Sequence, residues 1–148
     1  MKDNLTKLTK LLLDFLFYGG ILVTITLPLT IKFYGRYNSY FAANYIPLVI
    51  LFFFSGVFAL LTIFELRKLF RTVLNDDCFV RENVVSLNRM GTYSFLIALI
   101  TAGRLLLYIT PAVLVVILVF TIAGLFSKVL SHVFDKAVTY KLENDLTI

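Results

Sequence analysis

Charged residues are scarce in this sequence, and their scarcity excludes an ordinary water-soluble domain. Only 16% of the residues are charged, 59% are hydrophobic, and the mean hydropathy is +0.90. An average soluble domain has about 25% charged and about 45–50% apolar residues. A chain of 148 residues has too little interior volume to bury this excess. Lipid must therefore be part of its solvent.

The sequence contains one cysteine and no tryptophan. The single cysteine, Cys78, cannot form an internal disulfide, so no oxidising compartment is implied. Tryptophan is absent, which leaves tyrosine to mark the membrane interfaces. The first apolar run, 11–31, is longer than a signal-peptide core and no A-x-A-like cleavage site follows it. We expect it to be retained as a membrane span.

The long apolar runs predict an all-α fold, a four-helix transmembrane bundle in one domain, 1–148. A helix of about 20 apolar residues crosses the hydrocarbon layer. Two runs have this length, and a third, 91–126, is too long for one span. Pro111 divides it, since proline suits the first turn of a helix. The predicted spans are about 11–31, 44–64, 84–106 and 111–130.

The positive charges predict the orientation of these spans. With four crossings, both termini and the connection 65–90 lie on the same side. Of the 14 Lys and Arg residues, only Lys32, Arg36 and Arg104 fall on the other side. Lysine and arginine accumulate in cytoplasmic loops. We therefore expect a plasma-membrane protein with both termini in the cytoplasm.

The second and fourth helices are predicted to continue past the membrane as amphipathic stems, at about 65–75 and 126–140. Apolar residues recur there at helical spacing, as at Phe126, Val129 and Val133. Such stripes pack against each other, against the bilayer surface or against a partner. Between the stems, Asn75-Asp76-Asp77 favours a helix end. Val80 then fits the N-cap position of the third span.

Two ionisable residues are candidate intramembrane or interfacial charges. Asp14 lies close to the inner end of the first span, and Arg104 lies about 22 Å beyond Arg89 at ~1.5 Å per residue, in the outer half. Charges at membrane depth are functional candidates. Because the two residues lie near opposite faces, we do not expect them to pair.

The sequence shows no catalytic or metal-binding motif. His132 is the single histidine, and Cys78 follows two acidic residues that disfavour a thiolate. We therefore expect neither an enzyme nor a cofactor. Small residues four apart, such as Ser55 and Ala59, allow close helix packing. They leave a homo-oligomer open.

Two polar segments resemble the signatures of a known family. The segment 78–83, CFVREN, and the segment 142–148, LENDLTI, are similar to the F-[TVS]-x-E-N and E-N-D-L-T-[IV] motifs of a bacterial domain-of-unknown-function family of small four-span membrane proteins. Val80 replaces the commoner hydroxyl residue of the first motif. The candidate partner-binding residues are Phe79, Arg81, Glu82, Asn83, Glu143, Asn144, Asp145, Leu146, Thr147 and Ile148.

The resemblance implies a regulatory role, because such proteins are often encoded beside a small helix-turn-helix regulator. The leading hypothesis is a membrane-held sensor or sequestering partner of that regulator, with no direct nucleic-acid binding by this chain. Alternatively, the tail packs onto the 78–83 loop within the chain. Two other functions stay open: an immunity protein against a membrane-active peptide, acting through the outer loop 32–43, and an accessory subunit of a transporter.

Overall fold

The computed structural model describes residues 2–106 and 109–146, and this part of the chain is helical without strands. Four helices are long and apolar enough to cross a membrane. The predicted all-α transmembrane fold is therefore confirmed. The helices are α1 (Lys2–Ile25), α2 (Leu27–Gly35), α3 (Ser39–Ala43), α4 (Tyr45–Leu74), α5 (Arg81–Gly103) and α6 (Pro111–Leu146), with a 3-10 turn at Arg104–Leu106.

The predicted first span differs from the structure, where it comprises parts of two helices. The break falls at Thr26, and Pro28 lies in the first turn of α2. Proline has no N–H to continue the hydrogen bonds of α1, and its ring crowds the preceding turn. Helix α2 and the short α3 lie together at one end of the molecule. The outer loop predicted from the sequence, 32–43, falls in this part of the chain.

Helix α4 ends in a hydrogen-bonded cap formed by the polar residues that follow it. Asp76 has a positive φ of 55°. Its N–H donates to Val73 O at 3.1 Å, and the Asp77 N–H donates to Thr72 O at 3.0 Å. This pair of bonds is a Schellman motif, in which the left-handed residue satisfies the last carbonyls of the helix. The cap turns the chain back toward α5.

Helices α5 and α6 begin at the residues that the sequence favours. Val80 is the N-cap of α5 in extended conformation, and Glu82 lies in its first turn. Helix α6 begins at Pro111 and runs for 36 residues. At ~1.5 Å per residue it is about 54 Å long, well beyond the ~30 Å of hydrocarbon. Its last third therefore extends outside the membrane.

The long helices pack in chain order: α1 on α4, α4 on α5, and α5 on α6. The α5–α6 contact is made by small residues. A Cβ added to Gly124 would lie 2.6 Å from Cε1 of Phe95, and one added to Gly91 would lie 3.1 Å from the Gly124 carbonyl oxygen. In lipid, apolar side chains gain no free energy by leaving the solvent, so helix association depends on close packing. Small residues let the helix backbones approach closely.

The buried face of the α6 stem carries two serine residues as well as Val138. Ser127 and Ser131 are buried, and the Ser131 hydroxyl donates to the carbonyl of Val84 at 2.8 Å. Phe126, Val129 and Val133 are more than half exposed. The predicted apolar stripe of this stem thus turns largely outward, while the small hydroxyl residues fit against α5.

Candidate functional site

The segment 78–83 and the described part of the terminal segment, 142–146, lie at the same end of the molecule, where Lys141 contacts Asp77. We call this the basic end: the start of α1, the end of α4, the connection 75–80 and the end of α6. Most of the Lys and Arg residues lie there. The opposite end holds α2, α3 and the turn between α5 and α6.

Asn83 holds the connection between α4 and α5 together. It is 1% exposed, and its side-chain Nδ2 donates to Thr72 Oγ1 at 2.7 Å and to the carbonyl of Cys78 at 2.6 Å. Both partners lie on the connection or the last turn of α4. Buried amides are stable only when their polar atoms are paired. Asn83 is therefore placed as a structural residue and is not accessible to a partner.

Three contacts join the connection and the first residue of α5 to α6, and together we call them the clamp. Arg81 forms an ion pair with Asp135. The rings of Phe79 and Phe134 lie 5.2 Å apart between centroids. The ammonium of Lys141 donates to Asp77 Oδ1 at 2.8 Å. The ion pairs are half-exposed and individually weak, but together with the ring contact they fix α6 beside the connection.

Lys141 keeps its charge in this arrangement. It lies beyond the membrane-spanning part of α6, and the hydrogen bond to Asp77 raises the pKa of Lys141 above its ordinary value. The Lys141 ammonium is therefore protonated at neutral pH.

The last turns of α6 are exposed in spite of the clamp. Leu142 is 54% and Leu146 86% exposed, and Glu143 and Asp145 are exposed beside them. We call these four residues the terminal face. Asn144 is exposed as well. Glu82 is exposed in the first turn of α5. Thr147 and Ile148 lie outside the described residues.

The candidate charge Asp14 is paired with a helix that the sequence does not predict as its neighbour. Arg67 of α4 donates from Nε to Asp14 Oδ1 at 2.6 Å, and Lys10 donates to Oδ2 at 3.2 Å. The guanidinium of Arg67 also lies 4.6 Å from the centroid of the Phe17 ring. These contacts join α1 to α4 near the basic end.

Glu65 is a buried carboxylate at the start of the stem of α4. It is 3% exposed, with Oε2 lying 3.2 Å from Lys68 Nζ and Oε1 lying 3.5 Å from Arg89 Nη1. Burying a carboxylate is costly unless cations accompany it. The signal for this site was an acidic residue directly after an apolar span, followed by a lysine three positions later.

Arg104, the second candidate charge, lies at the opposite end of the molecule from Asp14. It begins the turn that ends α5. Its guanidinium carbon lies 4.8 Å from the centroid of the Phe52 ring of α4. A guanidinium is attracted to the face of an aromatic ring.

These features define a class: the chain is an integral membrane protein with four spanning helices and a polar, helical end outside the bilayer. More particularly, it belongs to the family described as proteins of unknown function, DUF2975, whose model matches residues 29–148. The match includes both the connection and the terminal face. Neither the curated proteins nor the solved structures contain a significant match to the chain.

Proposed function

We propose that the protein is a non-enzymatic membrane anchor that binds a cytoplasmic partner through the terminal face of α6. By the family resemblance, the partner is a small helix-turn-helix DNA-binding regulator. Holding such a regulator at the membrane keeps it away from DNA, so the protein acts as its sensor or sequestering partner.

The observation that carries this proposal is the exposure of the terminal face. Leu142 and Leu146 lie one helical turn apart and are exposed, outside the length of α6 that lipid can cover. Apolar residues that recur at i and i+4 are typical anchors of a helix in the groove of a partner.

The charges of the terminal face suit a DNA-binding partner. Glu143 and Asp145 are exposed and acidic, whereas a DNA-binding domain carries a basic surface. Complementary charge speeds association and selects the partner. The accumulation of Lys and Arg at the basic end supports a cytoplasmic position for this end.

The clamp supplies the rigidity that such a face needs. Arg81 at the start of α5 contacts α6 before Val138, and Lys141 contacts the connection from the next turn after it. Val138 itself is buried. A partner then meets a preformed helix and loses less entropy on binding. The immunity and transporter hypotheses stay predictions.

The test is recovery of the partner from native cells with full-length, N-terminally tagged protein. We compare the wild type with the double variant Leu142→Glu/Leu146→Glu. The variant should recover at least about tenfold less regulator, because each lost leucine contact is worth about 1.5–3 kcal/mol. The readout is mass-spectrometric quantification of the co-purified protein.

The matched control is His132→Ala, an exposed position on α6 outside the terminal face. It should recover as much partner as the wild type. Recovery of no DNA-binding protein by the wild type, or equal recovery by the double variant, would contradict the proposal.

A further inference from the structure

A cavity of about 470 Å³ lies between the four spanning helices, in the half of the membrane away from the basic end. Side chains from all four helices line it, among them Val23, Leu51, Ile97, Val116 and Phe120. Binding sites for small molecules have volumes of about 300–1,000 Å³ and mostly apolar walls. The cavity has the size and the lining of such a site.

Small residues of α4 form part of the cavity wall. Ser55, Gly56 and Ala59 line it. The sequence analysis interprets Ser55 and Ala59 as a close-packing surface, but in the structure they face this space. Val23 of α1 is 60% and Val116 of α6 is 38% exposed at its edge. The cavity therefore opens sideways, between α1 and α6, toward the lipid.

Arg104 is the only charged residue among the described residues that line the cavity. Its Nε is buried and has no hydrogen-bond partner in the described part of the chain. A buried donor without an acceptor is costly, and more so when it carries charge. The Thr24 and Thr110 hydroxyl groups that line the cavity form hydrogen bonds with backbone groups of their own segments, and neither is paired with Arg104 Nε. A bound ligand with an acceptor oxygen would satisfy the Arg104 Nε–H, which has no partner among the described residues.

We propose that the cavity binds an anionic phospholipid, with one acyl chain between α1 and α6 and the phosphate on Arg104. The apolar walls and the lateral opening fit an acyl chain that enters from the bilayer. The guanidinium fork fits phosphate oxygens, which it binds in bidentate geometry. Arg104 lies in the turn after α5, two residues before the end of the candidate span Arg81–Leu106, where a headgroup is within reach of its side chain. This site is separate from the terminal face and does not depend on the proposed function.

The experiment is native mass spectrometry of the purified full-length protein in mild detergent. The probes are phosphatidylglycerol and phosphatidylcholine with identical acyl chains. We expect one retained phosphatidylglycerol and a preference over phosphatidylcholine of about tenfold, since both lipids offer a phosphate but only phosphatidylcholine adds a choline cation that Arg104 repels. Glycerol 3-phosphate, which has the headgroup chemistry but no chain, should not compete.

Two pairs of variants separate this site from lipid bound around the protein surface. Arg104→Gln should bind both lipids within about twofold of each other, whereas Arg104→Lys, which keeps the charge but loses the bidentate fork, should retain only part of the preference. Ala59→Phe fills the cavity and should lose the retained lipid. Gly19→Phe adds the same ring at a position with no neighbour within 4 Å and should bind like the wild type.

The ratio between the two lipids is measured within each variant, so it does not depend on the amount of folded protein. An unchanged ratio in Arg104→Gln, or unchanged retention in a folded Ala59→Phe, would overturn the proposal and indicate surface lipid only.

Discussion

At the scale of single residues, Asn83 connects three parts of the basic end through one side chain. Its amide reaches the last turn of α4 and the Cys78 carbonyl from within the first turn of α5. From hydrophobic patterning alone, residue 83 would be an ordinary position at the start of a helix. Its burial instead makes it a fixed point on which the position of the clamp depends.

Replacing Asn83 with alanine should destabilise the protein by about 1–3 kcal/mol, because the Cys78 carbonyl and the Thr72 hydroxyl lose a buried partner. The measurement is thermal unfolding of the purified protein in detergent. Asn4→Ala, at an exposed position on α1, is the matched control and should leave the unfolding temperature unchanged. Equal unfolding temperatures for Asn83→Ala and the wild type would show that the amide bonds do not hold the connection.

At this scale, the pairing of charged residues could not be predicted from the sequence. The depth of Asp14 followed from its position in an apolar run. Its partner Arg67 did not, since that pairing depends on which helices are neighbours. Glu65 was missed for the same reason, because its burial results from Arg89 approaching from α5.

At the scale of helices, the α5–α6 contact depends on side chains that are small enough for the two backbones to approach each other. Gly124 faces the ring of Phe95, and Gly91 faces the backbone of α6. The aliphatic part of Lys128 passes beside Gly91 on its way to Asn88 and Thr92, to which its ammonium donates at 2.7 and 2.9 Å. The packing thus combines close backbones with polar bonds at the membrane edge.

Gly124→Val should weaken this contact by about 1–3 kcal/mol, the usual cost of overpacking. The added atoms would overlap Phe95, which must then move. Gly19→Val makes the same change in α1 where a Cβ meets nothing within 4 Å. Unfolding in detergent should therefore separate the two variants clearly. If Gly19→Val proved as destabilising as Gly124→Val, helix propensity rather than packing would explain both.

Helix ends were predictable where local chemistry decides them. Pro111 starts α6, Val80 caps α5, and the Asn75-Asp76-Asp77 run ends α4. The break before Pro28 was not predicted, because neighbouring helices in a membrane sometimes tolerate proline within a span. The packing face of α6 was also not predicted, since an amphipathic pattern in water favours burying the apolar side, whereas lipid removes that preference.

At the scale of the whole molecule, the two ends differ in character. The basic end carries the clamp, the buried Glu65 and the terminal face. The opposite end carries α2, α3, Arg104 and the cavity. The four-helix architecture followed from hydropathy and one proline. The sequence does not predict the cavity, because a cavity depends on gaps in the packing of four helices.

We propose that the basic end, with the terminal face, lies in the cytoplasm. The most direct measurement is labelling of single-cysteine variants in intact cells with a membrane-impermeant maleimide. Native Cys78 reports on the basic end, and Asp145→Cys in a Cys78→Ser background reports on the terminal face. Tyr37→Cys in the same background reports on the opposite end, where Tyr37 is 78% exposed.

The account predicts that intact cells label Tyr37→Cys alone, and that Cys78 and Asp145→Cys react only after the cells are permeabilised. Labelling of Cys78 or Asp145→Cys in intact cells, with Tyr37→Cys protected, would place the terminal face outside the cell and contradict the account.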